Sequence, residues 1–374
     1  MRLESLTITN FKNIAGASLE FSPKINCLLG NNGMGKSNLL DALYLLSYCK
    51  SFAGLTDSQL IRRGEDFAIV AGRYQRRGMP EDLQAVLRPG RRKSFKRSGK
   101  EYRRLADHLG AFPLVLVSPA DIMLAAGDPS ERRRFTDQIA SQSDPRYLDA
   151  LIRYGEATEQ RNRLLRAEST DDALFDALEL QMDAAGIYLV RHRAATIEAL
   201  QPIFSAFHEA MAPGEEATLT YCGVFGAESP EPGALAEKLA SNRRRDLAIG
   251  HTSSGPHRDD VDFRLNGVPV RRIASQGQTK TFTSALRLAQ YELLRRNLGI
   301  NPLLLLDDIF DKLDANRVER IINAVATGEN FGQIFITDTN RRHLDDIVGL
   351  LDKSHASSRL WNVDEGVFTP IPAL

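Results

Sequence analysis

The chain contains a gap-free match to G-x-x-x-x-G-K-[ST] at Gly30-Asn31-Asn32-Gly33-Met34-Gly35-Lys36-Ser37. It stands between a short apolar run, residues 25–29, and a segment whose leucines recur at helical spacing. Glycines let successive backbone N–H groups turn inward around phosphate oxygens, and the positive end of the following helix faces the same point. The pattern therefore predicts the phosphate loop of an ATP-binding, ATP-hydrolysing protein of the P-loop class.

The loop supplies two side chains with predicted roles. We expect the Lys36 ammonium to bind the β- and γ-phosphates and the Ser37 hydroxyl to bind Mg²⁺. The alternative is a glycine-rich turn without a ligand, which the flanking strand and helix disfavour. The residues expected to contact ATP here are Gly30, Asn31, Asn32, Gly33, Met34, Gly35, Lys36, Ser37 and Asn38.

A second motif completes the predicted site. The apolar run of residues 302–306 ends in Asp307 and Asp308. At the end of a buried strand, Asp307 would hold Mg²⁺ opposite Ser37, directly or through water, and Asp308 would orient or deprotonate the attacking water. A buried strand that merely ends in two acids is the alternative, but it does not explain the pairing with the loop upstream.

Composition limits the remaining possibilities. The 374 residues are 43% hydrophobic and 26% charged with a formal net charge of zero, as in an ordinary globular protein. A site for a polyanion must therefore come from local clustering of cations.

Three scattered cysteines, Cys27, Cys49 and Cys222, suit neither a disulfide framework nor a zinc site, and they are typical of a reducing cytoplasm. The first residues lack the apolar stretch of a signal peptide, and the apolar runs are too short to cross a membrane, so we expect a soluble, cytoplasmic protein.

The pattern along the chain changes twice. Strand and helix signals alternate in the first fifty residues, and β-hairpins are predicted from Phe67 to about Arg97. Residues 121 to about 245 are mostly typical of amphipathic helix, and β pattern returns at Gly250. The sequence therefore predicts an α/β ATPase head built from residues 1–120 and 250–374, with a mostly helical lobe of residues 121–249 inserted between them.

A third motif is Ser275-Gln276-Gly277-Gln278, which precedes a helical pattern. A Ser-x-Gly-Gln turn that begins a helix forms a second anion-binding terminus. Taken alone, an ordinary helix cap explains the motif equally well. Its position some thirty residues before the acidic strand favours the functional interpretation.

The order of these motifs resembles that of the ABC-type ATPases, including their SMC-like DNA-repair branch. Within that branch the chain is identified as a member of the bacterial RecF family, and the resemblance covers nearly its full length. The segments that carry it are Leu6 to Asn13, Gly30 to Ser37, Val117 to Asp121 with Gly127, Arg132 and Arg133, Gly255 to Asp260, Ser275 to Gln278 and Leu304 to Asp314.

The resemblance implies a mechanism. RecF-family proteins have an ABC-type head and a helical second lobe, bind double-stranded DNA in the presence of ATP and Mg²⁺, and work with RecR and RecO in loading RecA at single-stranded gaps. Two subunits form a homodimer around two ATP molecules. Carried over to this chain, Ser275, Gly277 and Gln278 form the signature that completes the partner's site, so Ser275 joins Lys36 and Asp308 among the expected catalytic residues. Leu313 and Asp314 would couple the two sites.

Three departures from the family pattern bear on hydrolysis. Gln278 is followed by Thr279 and Lys280 where the family often has Gln-Arg, and no glutamine follows the strand of residues 114–117. The switch segment, residues 334–339, has no histidine, and Thr337, Asp338 and Thr339 remain alternatives for a contact near the γ-phosphate. These departures favour slow hydrolysis, in which ATP acts as a timer for the closed dimer.

The candidate DNA contacts form the densest basic cluster of a chain without net charge. They are Arg91, Arg92, Lys93, Lys96, Arg97 and Lys100, with Arg103 and Arg104 nearby. Lysine and arginine contacts to phosphate give affinity without sequence readout. A solvated hairpin is the alternative. The triplets of residues 132–134 and 243–245 are weaker candidates, and His257 is interpreted as a structural histidine.

Other classes of protein share the phosphate loop. The ATPase subunit of a membrane transporter usually has a signature that begins Leu-Ser-Gly-Gly, whereas Ala274 precedes Ser275 here. A P-loop phosphotransferase acting on a small molecule would not need the Ser275 helix. A scaffold with a vestigial site would tolerate the loss of Lys36 or Asp307, yet both are present.

Overall fold

The computed structural model describes residues 1–226, 228–309, 320, 331–351 and 358–371. The chain forms two compact units, each of which combines helices with strands, and this confirms the predicted α/β class. The first unit is Met1–Asp121, Phe207–Pro213 and Gln276–Leu374, and the second is Ile122–Ala206 and Gly214–Ser275.

Strands and helices are numbered in chain order. The strands are β1 Arg2–Phe11, β2 Ile14–Glu20, β3 Ile25–Leu29, β4 Ala68–Arg76, β5 Met79–Leu87, β6 Ser94–Arg97, β7 Lys100–Glu101, β8 Leu114–Val117, β9 Ala217–Cys222, β10 Asp260–Leu265, β11 Val268–Pro269, β12 Leu303–Asp307, β13 Ile334–Asp338, β14 Ser358–Asp364 and β15 Val367–Ile371. The α-helices are α1 Lys36–Tyr48, α2 Ile122–Ala126, α3 Pro129–Ser143, α4 Pro145–Arg166, α5 Asp172–Met211, α6 Ala234–Ile249, α7 Val270–Ile273, α8 Gln276–Leu298 and α9 Arg341–Leu351.

One sheet of the first unit has the strand order β15-β14-β3-β13-β12-β8 and is parallel from β14 to β8. Strands β8, β12 and β13 are buried along their whole length, as the continuous apolar runs of parallel strands require. Because the strands are parallel, the segments that follow β3, β12, β13 and β8 meet at one edge of the sheet. Ligands bind at this carboxyl edge in open α/β sheets.

The other sheet of the first unit is antiparallel, with the order β2-β1-β4-β5-β6-β7. Strand β4 shows the alternation that places one face on a core: Ala68, Val70, Gly72 and Tyr74 are buried, and the residues between them are more exposed. The hairpins predicted between Phe67 and about Arg97 correspond to β4, β5 and β6.

Helix α1 joins the two sheets of the first unit. It contacts β1, β4 and β5 of the antiparallel sheet and β8, β12 and β13 of the parallel sheet. Its residues are buried nearly all round, as is expected of a helix enclosed in a core, and Leu39, Leu40, Leu43 and Leu46 are fully buried. The helix that begins at the phosphate loop is therefore fixed by packing along its length.

The second unit consists of helices and the antiparallel sheet β11-β10-β9. Strand β9 lies in a region whose pattern is mostly that of amphipathic helix. It forms because its six residues pair in full with β10, and Ala217 and Leu219 are buried. This long-range pairing also explains why residues 250–275 cluster with the second unit. The functional division into a head of residues 1–120 and 250–374 and a lobe of residues 121–249 stays a prediction.

The second unit contains a charge network without contact with solvent. The Arg161 guanidinium lies 3.0 Å from the Glu179 carboxylate and 2.7 Å from that of Asp246, and all three side chains are almost completely buried. Arg161 also donates to the Thr252 hydroxyl and the Leu239 carbonyl. Removal of any partner from such a network leaves a buried charge uncompensated and destabilises the folded unit.

The segment Gly255 to Asp260 folds around a histidine. His257 has its Nδ1 2.8 Å from the Tyr154 hydroxyl and its Nε2 3.1 Å from the Thr252 carbonyl oxygen. A side chain at Gly255 would meet the Tyr154 hydroxyl, and its φ of +136° also favours glycine. Burial lowers the pKa of His257 to about 4, so the ring is neutral and fits the structural role predicted for it.

Among the residues that the structure describes, no helix is both long enough and apolar enough to cross a membrane.

Candidate phosphate site and nucleic-acid interface

The phosphate loop follows β3, and α1 begins at Lys36. Gly33 and Gly35 have φ angles of +83° and +116°, a region that residues with a Cβ rarely adopt. The Lys36 ammonium donates to the carbonyl oxygens of Gly30, at 2.6 Å, and Asn31, at 3.2 Å. The loop therefore curves around a buried positive charge at the N-terminus of a helix, which is the arrangement that binds phosphate groups.

The structure brings the phosphate loop and the acidic motif together. The Ser37 hydroxyl donates to Asp307 Oδ1 at 2.9 Å, although the two residues are 270 positions apart. Thr337, from the end of β13, lies beside them: its Oγ1 is 2.8 Å from Asp307 Oδ1 and accepts from the Asp308 N–H at 2.9 Å. The ends of β12 and β13 and the first turn of α1 thus supply one cluster of oxygen atoms.

The Asp307 carboxyl group has a raised pKa. Burial is the largest cause and acts against the hydrogen bonds from Thr337 and Ser37, which favour the ionised form. The neighbouring Asp308 charge raises the pKa further, and the Lys36 charge lowers it. A cation beside Asp307 would favour its ionised form, because it would offset the cost of burying the negative charge.

The oxygen atoms of Ser37 and Asp307 fit Mg²⁺. This ion is commonly held by one or two carboxylates together with phosphate oxygens and water. Within the described ranges, no three side chains of histidine, cysteine, aspartate or glutamate converge as a metal site. With one hydroxyl and one carboxylate, Ser37 and Asp307 would leave the remaining ligands of such an ion to a bound nucleotide and water.

Asp308 follows β12 with a φ of +44°, a left-handed backbone conformation that the Thr337 hydrogen bond supports. Its carboxylate is partly accessible, in contrast to that of Asp307. Leu313 and Asp314, predicted to couple two sites, lie outside the described residues.

The three candidate residues of the switch segment differ in burial and in hydrogen bonding. Thr337 is buried and bonded to the acidic motif, whereas Thr339 is exposed. Asp338 accepts from the Asn340 N–H at 2.7 Å and lies 3.3 Å from His343 Nδ1 in α9. The strand itself contains no histidine, and the sequence pattern does not reveal His343, because the helical turn after β13 brings it back to Asp338.

The segment after β8 has an acid in place of the absent glutamine. Asp121 accepts from the Ser118 N–H at 2.8 Å and forms an ion pair with Arg287 of α8 at 2.7 Å. Sequence reasoning missed Arg287, whose only signal was a basic residue in a helix that is otherwise largely buried. The ion pair ties the signature helix to the strand beside β12.

The signature residues lie at the start of α8, which begins at Gln276. Ser275 and Gln276 are exposed, and Gly277 and Gln278 form the first turn. Ser275 belongs to the second unit, whereas Ser37 and Asp307 belong to the first. An exposed helix N-terminus of this kind can receive an anion from another molecule.

The candidate DNA contacts lie on β6, β7 and the loop before them, and they differ in their partners. Lys93 forms an ion pair with Asp57 at 2.8 Å, and Arg97 forms one with Glu81 at 2.5 Å. Burial works against ionisation of Glu81, but Arg97 and Arg76 hold its pKa below the usual value. Arg92 donates to the Arg103 carbonyl oxygen.

Two further candidates of this cluster are accessible. Arg91 and Lys100 are exposed, and within the part of the chain that the structure describes they form no ion pair. Lys96 stands opposite Glu101 in the strand register.

Three residues of the two weaker basic triplets form ion pairs with acids. Arg132 binds both carboxylate oxygens of Asp260, and Arg134 pairs with Glu131. Arg243 contacts three carboxylates, those of Asp172, Asp176 and Glu179. Arg132 and Arg243 are therefore structural residues of the second unit.

Comparison with known proteins identifies the family. The sequence model of the RecF/RecN/SMC N terminal domain matches residues 2–355. The DNA replication and repair protein RecF of Parabacteroides distasonis is 46% identical over 372 residues, which cover 99% of this chain and 100% of the relative. The RecF protein of Bacteroides fragilis is 47% identical over 368 residues, or 98% and 97% of the two chains. The chain belongs to the RecF family.

Solved structures support the same conclusion. A structure of the recombination mediator protein RecF with ATPrS, described as part of the RecFOR pathway, has a TM-score of 0.88 and 28% sequence identity, and the match covers 99% of this chain and 98% of that one. An SMC head bound to the C-winged helix domain of ScpA has a TM-score of 0.58 at 17% identity, with 99% and 98% coverage, and this likeness shows the fold alone. The chain thus has the ATPase fold of SMC heads and belongs to a family of DNA replication and repair proteins.

Proposed function

We propose that this protein binds duplex DNA near single-stranded gaps as an ATP-driven homodimer, and helps RecO and RecR to load RecA in the cytoplasm. The observation that carries the proposal is the hydrogen bond between Ser37 and Asp307. It lies at the start of α1, whose first residue is the buried Lys36. In a chain that is 46% identical to RecF over its full length, this geometry supports nucleotide binding as the driving event.

The nucleotide site has three proposed parts. Residues 30–38 would cradle the phosphates, Ser37 and Asp307 would hold Mg²⁺, and Asp308 would orient the attacking water. When bound, the metal ion would neutralise charge on the β- and γ-phosphates. The Lys36 ammonium would bind the same phosphates. Hydrogen bonds to the Gly30 and Asn31 carbonyl oxygens already hold it at the loop.

The dimer would complete each site with the signature of the other chain. Ser275, Gly277 and Gln278 stand at an exposed helix end, where the helix dipole favours a negatively charged group. We propose that this group is the γ-phosphate held by the partner subunit. The absence of a glutamine after β8 and of a histidine in β13 supports slow hydrolysis, with ATP as the timer of the closed dimer. We further propose that bound DNA stimulates this hydrolysis.

DNA binding in the presence of ATP and Mg²⁺ tests the proposal. Basic residues that form ion pairs and basic residues that do not can be changed separately, so their contributions to DNA binding can be compared. Changing Arg91 and Lys100 to glutamine should weaken duplex binding, because both side chains are exposed and make no ion pair with the described residues. The slope of log K against log salt concentration should become shallower by up to ~1.8, at ~0.9 per lost phosphate contact. Fluorescence anisotropy with labelled duplex, from about 50 to 200 mM salt, over which affinity falls steeply, gives the slope.

The matched control changes Lys93 and Arg97 to glutamine, which removes the same charge from residues engaged with Asp57 and Glu81. We expect a smaller change in slope for this pair. Equal slopes for both variants and the unchanged protein would place the DNA contacts on another surface.

Two other functions make different predictions. A transporter ATPase subunit would co-purify with membranes and would show no ATP-dependent affinity for duplex DNA. A P-loop phosphotransferase would transfer the γ-phosphate to a small molecule and would not dimerise on ATP.

A further inference from the structure

The carbonyl oxygen of Met34, in the phosphate loop, is held from two sides. The Asn13 side-chain amide donates to it at 3.1 Å, and the backbone N–H of Gly366 donates at 2.7 Å. Asn13 lies in the turn between β1 and β2, and Gly366 lies in the turn between β14 and β15. Two turns that are far apart in sequence therefore meet at one peptide group of the loop.

Asn13 is itself fixed against the helix that follows the loop. The Asn38 side-chain amide, in α1, donates to Asn13 Oδ1 at 2.8 Å. A Cβ atom at Gly35 would lie 2.9 Å from both polar atoms of the Asn13 side chain. The third glycine of the motif is thus required by contact with Asn13 as well as by its positive φ.

The β14–β15 hairpin supports the loop at a second point. A Cβ atom at Gly30 would lie 2.3 Å from the Val363 carbonyl oxygen of β14, a distance that no side chain tolerates. At the hairpin turn, Gly366 has a φ of +81°, and a Cβ there would lie 2.6 Å from the Asn13 carbonyl oxygen. Two points of the loop, Gly30 and Met34, are therefore in contact with the β14–β15 hairpin.

The planarity of the peptide bond gives these contacts a functional consequence. In a trans peptide the C=O and N–H bonds point in opposite directions. Because the Met34 carbonyl points towards Asn13 and Gly366, the N–H of Gly35 points away from both of them. The anchors therefore fix the direction of one N–H group of the loop.

From this geometry we infer that Asn13 is a positioning residue of the nucleotide site, with the Gly366 turn as its second anchor. Together they hold the Met34–Gly35 peptide so that its N–H faces the bound phosphate chain. The inference rests on the proposed nucleotide binding. Asn13 lies outside the phosphate-loop motif, at the end of the NFKN segment (residues 10–13), and has no other assigned role.

The test measures ATP and pyrophosphate affinity for Asn13→Asp and Asn13→Ala. The aspartate has the same shape and can still accept from Asn38, but it presents an acceptor to the Met34 carbonyl. The alanine removes the donor without adding charge. We expect both variants to raise the Kd for ATP about tenfold or more, since a hydrogen bond to an ionised group is lost or misdirected. Pyrophosphate, which lacks base and ribose, should lose affinity by a similar factor.

The matched control is Asn10→Asp, in the same NFKN segment, where the amide donates to Glu65 instead of the loop. Its Kd should stay near that of the unchanged protein. Thermal unfolding midpoints measured without nucleotide separate a structural effect from a positioning effect. If Asn13 positions the loop, the Asn13 variants should melt close to the unchanged protein although their affinity for ATP falls.

Three outcomes are decisive. If the unchanged protein binds ATP and both Asn13 variants bind it with the same affinity, the inference is overturned and the proposed function is unaffected. Loss of ATP but not pyrophosphate affinity would also overturn it, because the effect would then lie at the base or ribose. Failure of the unchanged protein to bind either ligand would remove the proposed function, and this inference with it.

Discussion

Replacing Lys36 with alanine is expected to raise the Kd for ATP at least ~100-fold, which corresponds to about 2.7 kcal/mol. The ammonium is almost completely buried beside the loop carbonyls, so the phosphates would lose a desolvated positive charge and its hydrogen bonds, each worth about 1.5–3 kcal/mol. Titration with a fluorescent ATP analogue in the presence of Mg²⁺ gives the affinity. DNA binding that depends on ATP should be lost with it.

A matched control for Lys36→Ala is Lys24→Ala, which removes one positive charge from an exposed position before β3. Its affinity for ATP should be that of the unchanged protein. Retention of normal affinity by Lys36→Ala would exclude the loop as the phosphate site.

Replacing Arg161 with alanine is expected to destabilise the second unit by about 3–5 kcal/mol, because the Glu179 and Asp246 carboxylates would be left buried without their main partner. Arg243 still pairs with Glu179 and so reduces the loss. Urea unfolding followed by circular dichroism at the helical band measures the change. Trp361, the sole tryptophan, is buried in the first unit and reports on that unit separately by fluorescence.

The control for Arg161 lies on the same helix. Arg163 forms an exposed pair with Glu159, with both side chains about two-thirds accessible, and such pairs contribute less than ~1 kcal/mol. Arg163→Ala should therefore unfold nearly like the unchanged protein. A loss for Arg161→Ala no larger than that for Arg163→Ala would show that the buried network does not stabilise the unit.

The parts of the site that are contiguous in sequence could be predicted. The phosphate loop carries its own glycines and lysine, and Asp307 ends an apolar run that only a buried strand explains. Their meeting across 270 positions followed from a general property of parallel sheets, whose strands end at the same edge.

The supporting residues could not be predicted, because their partners are set by sheet order and turn position. Nothing near Thr337 in the sequence shows that β13 lies beside β12, and nothing near Asn13 shows that the β1–β2 turn reaches Met34. The basic cluster shows the same limit. Its density is visible in the sequence, but the commitment of Lys93 and Arg97 to Asp57 and Glu81 depends on strand pairing and loop packing.

Part of the fold also escaped the sequence pattern. Strand β9 has alternating residues of the kind that edge strands use, yet it lies between helical segments, and its pairing partner begins nearly forty positions later. Where hydrogen-bond partners are distant, local periodicity does not identify the element.

If two chains close on ATP as proposed, the mass of the protein in solution should change when ATP is added. Asp308→Asn, with Mg²⁺ and with or without ATP, is measured beside the double variant Asp308→Asn/Ser275→Arg. We expect ATP to convert the single variant from monomer to dimer, because loss of the proposed water-orienting carboxylate should block hydrolysis while the proposed signature is intact. The double variant should stay monomeric. If both variants bind ATP and neither changes mass, the composite two-chain site is contradicted.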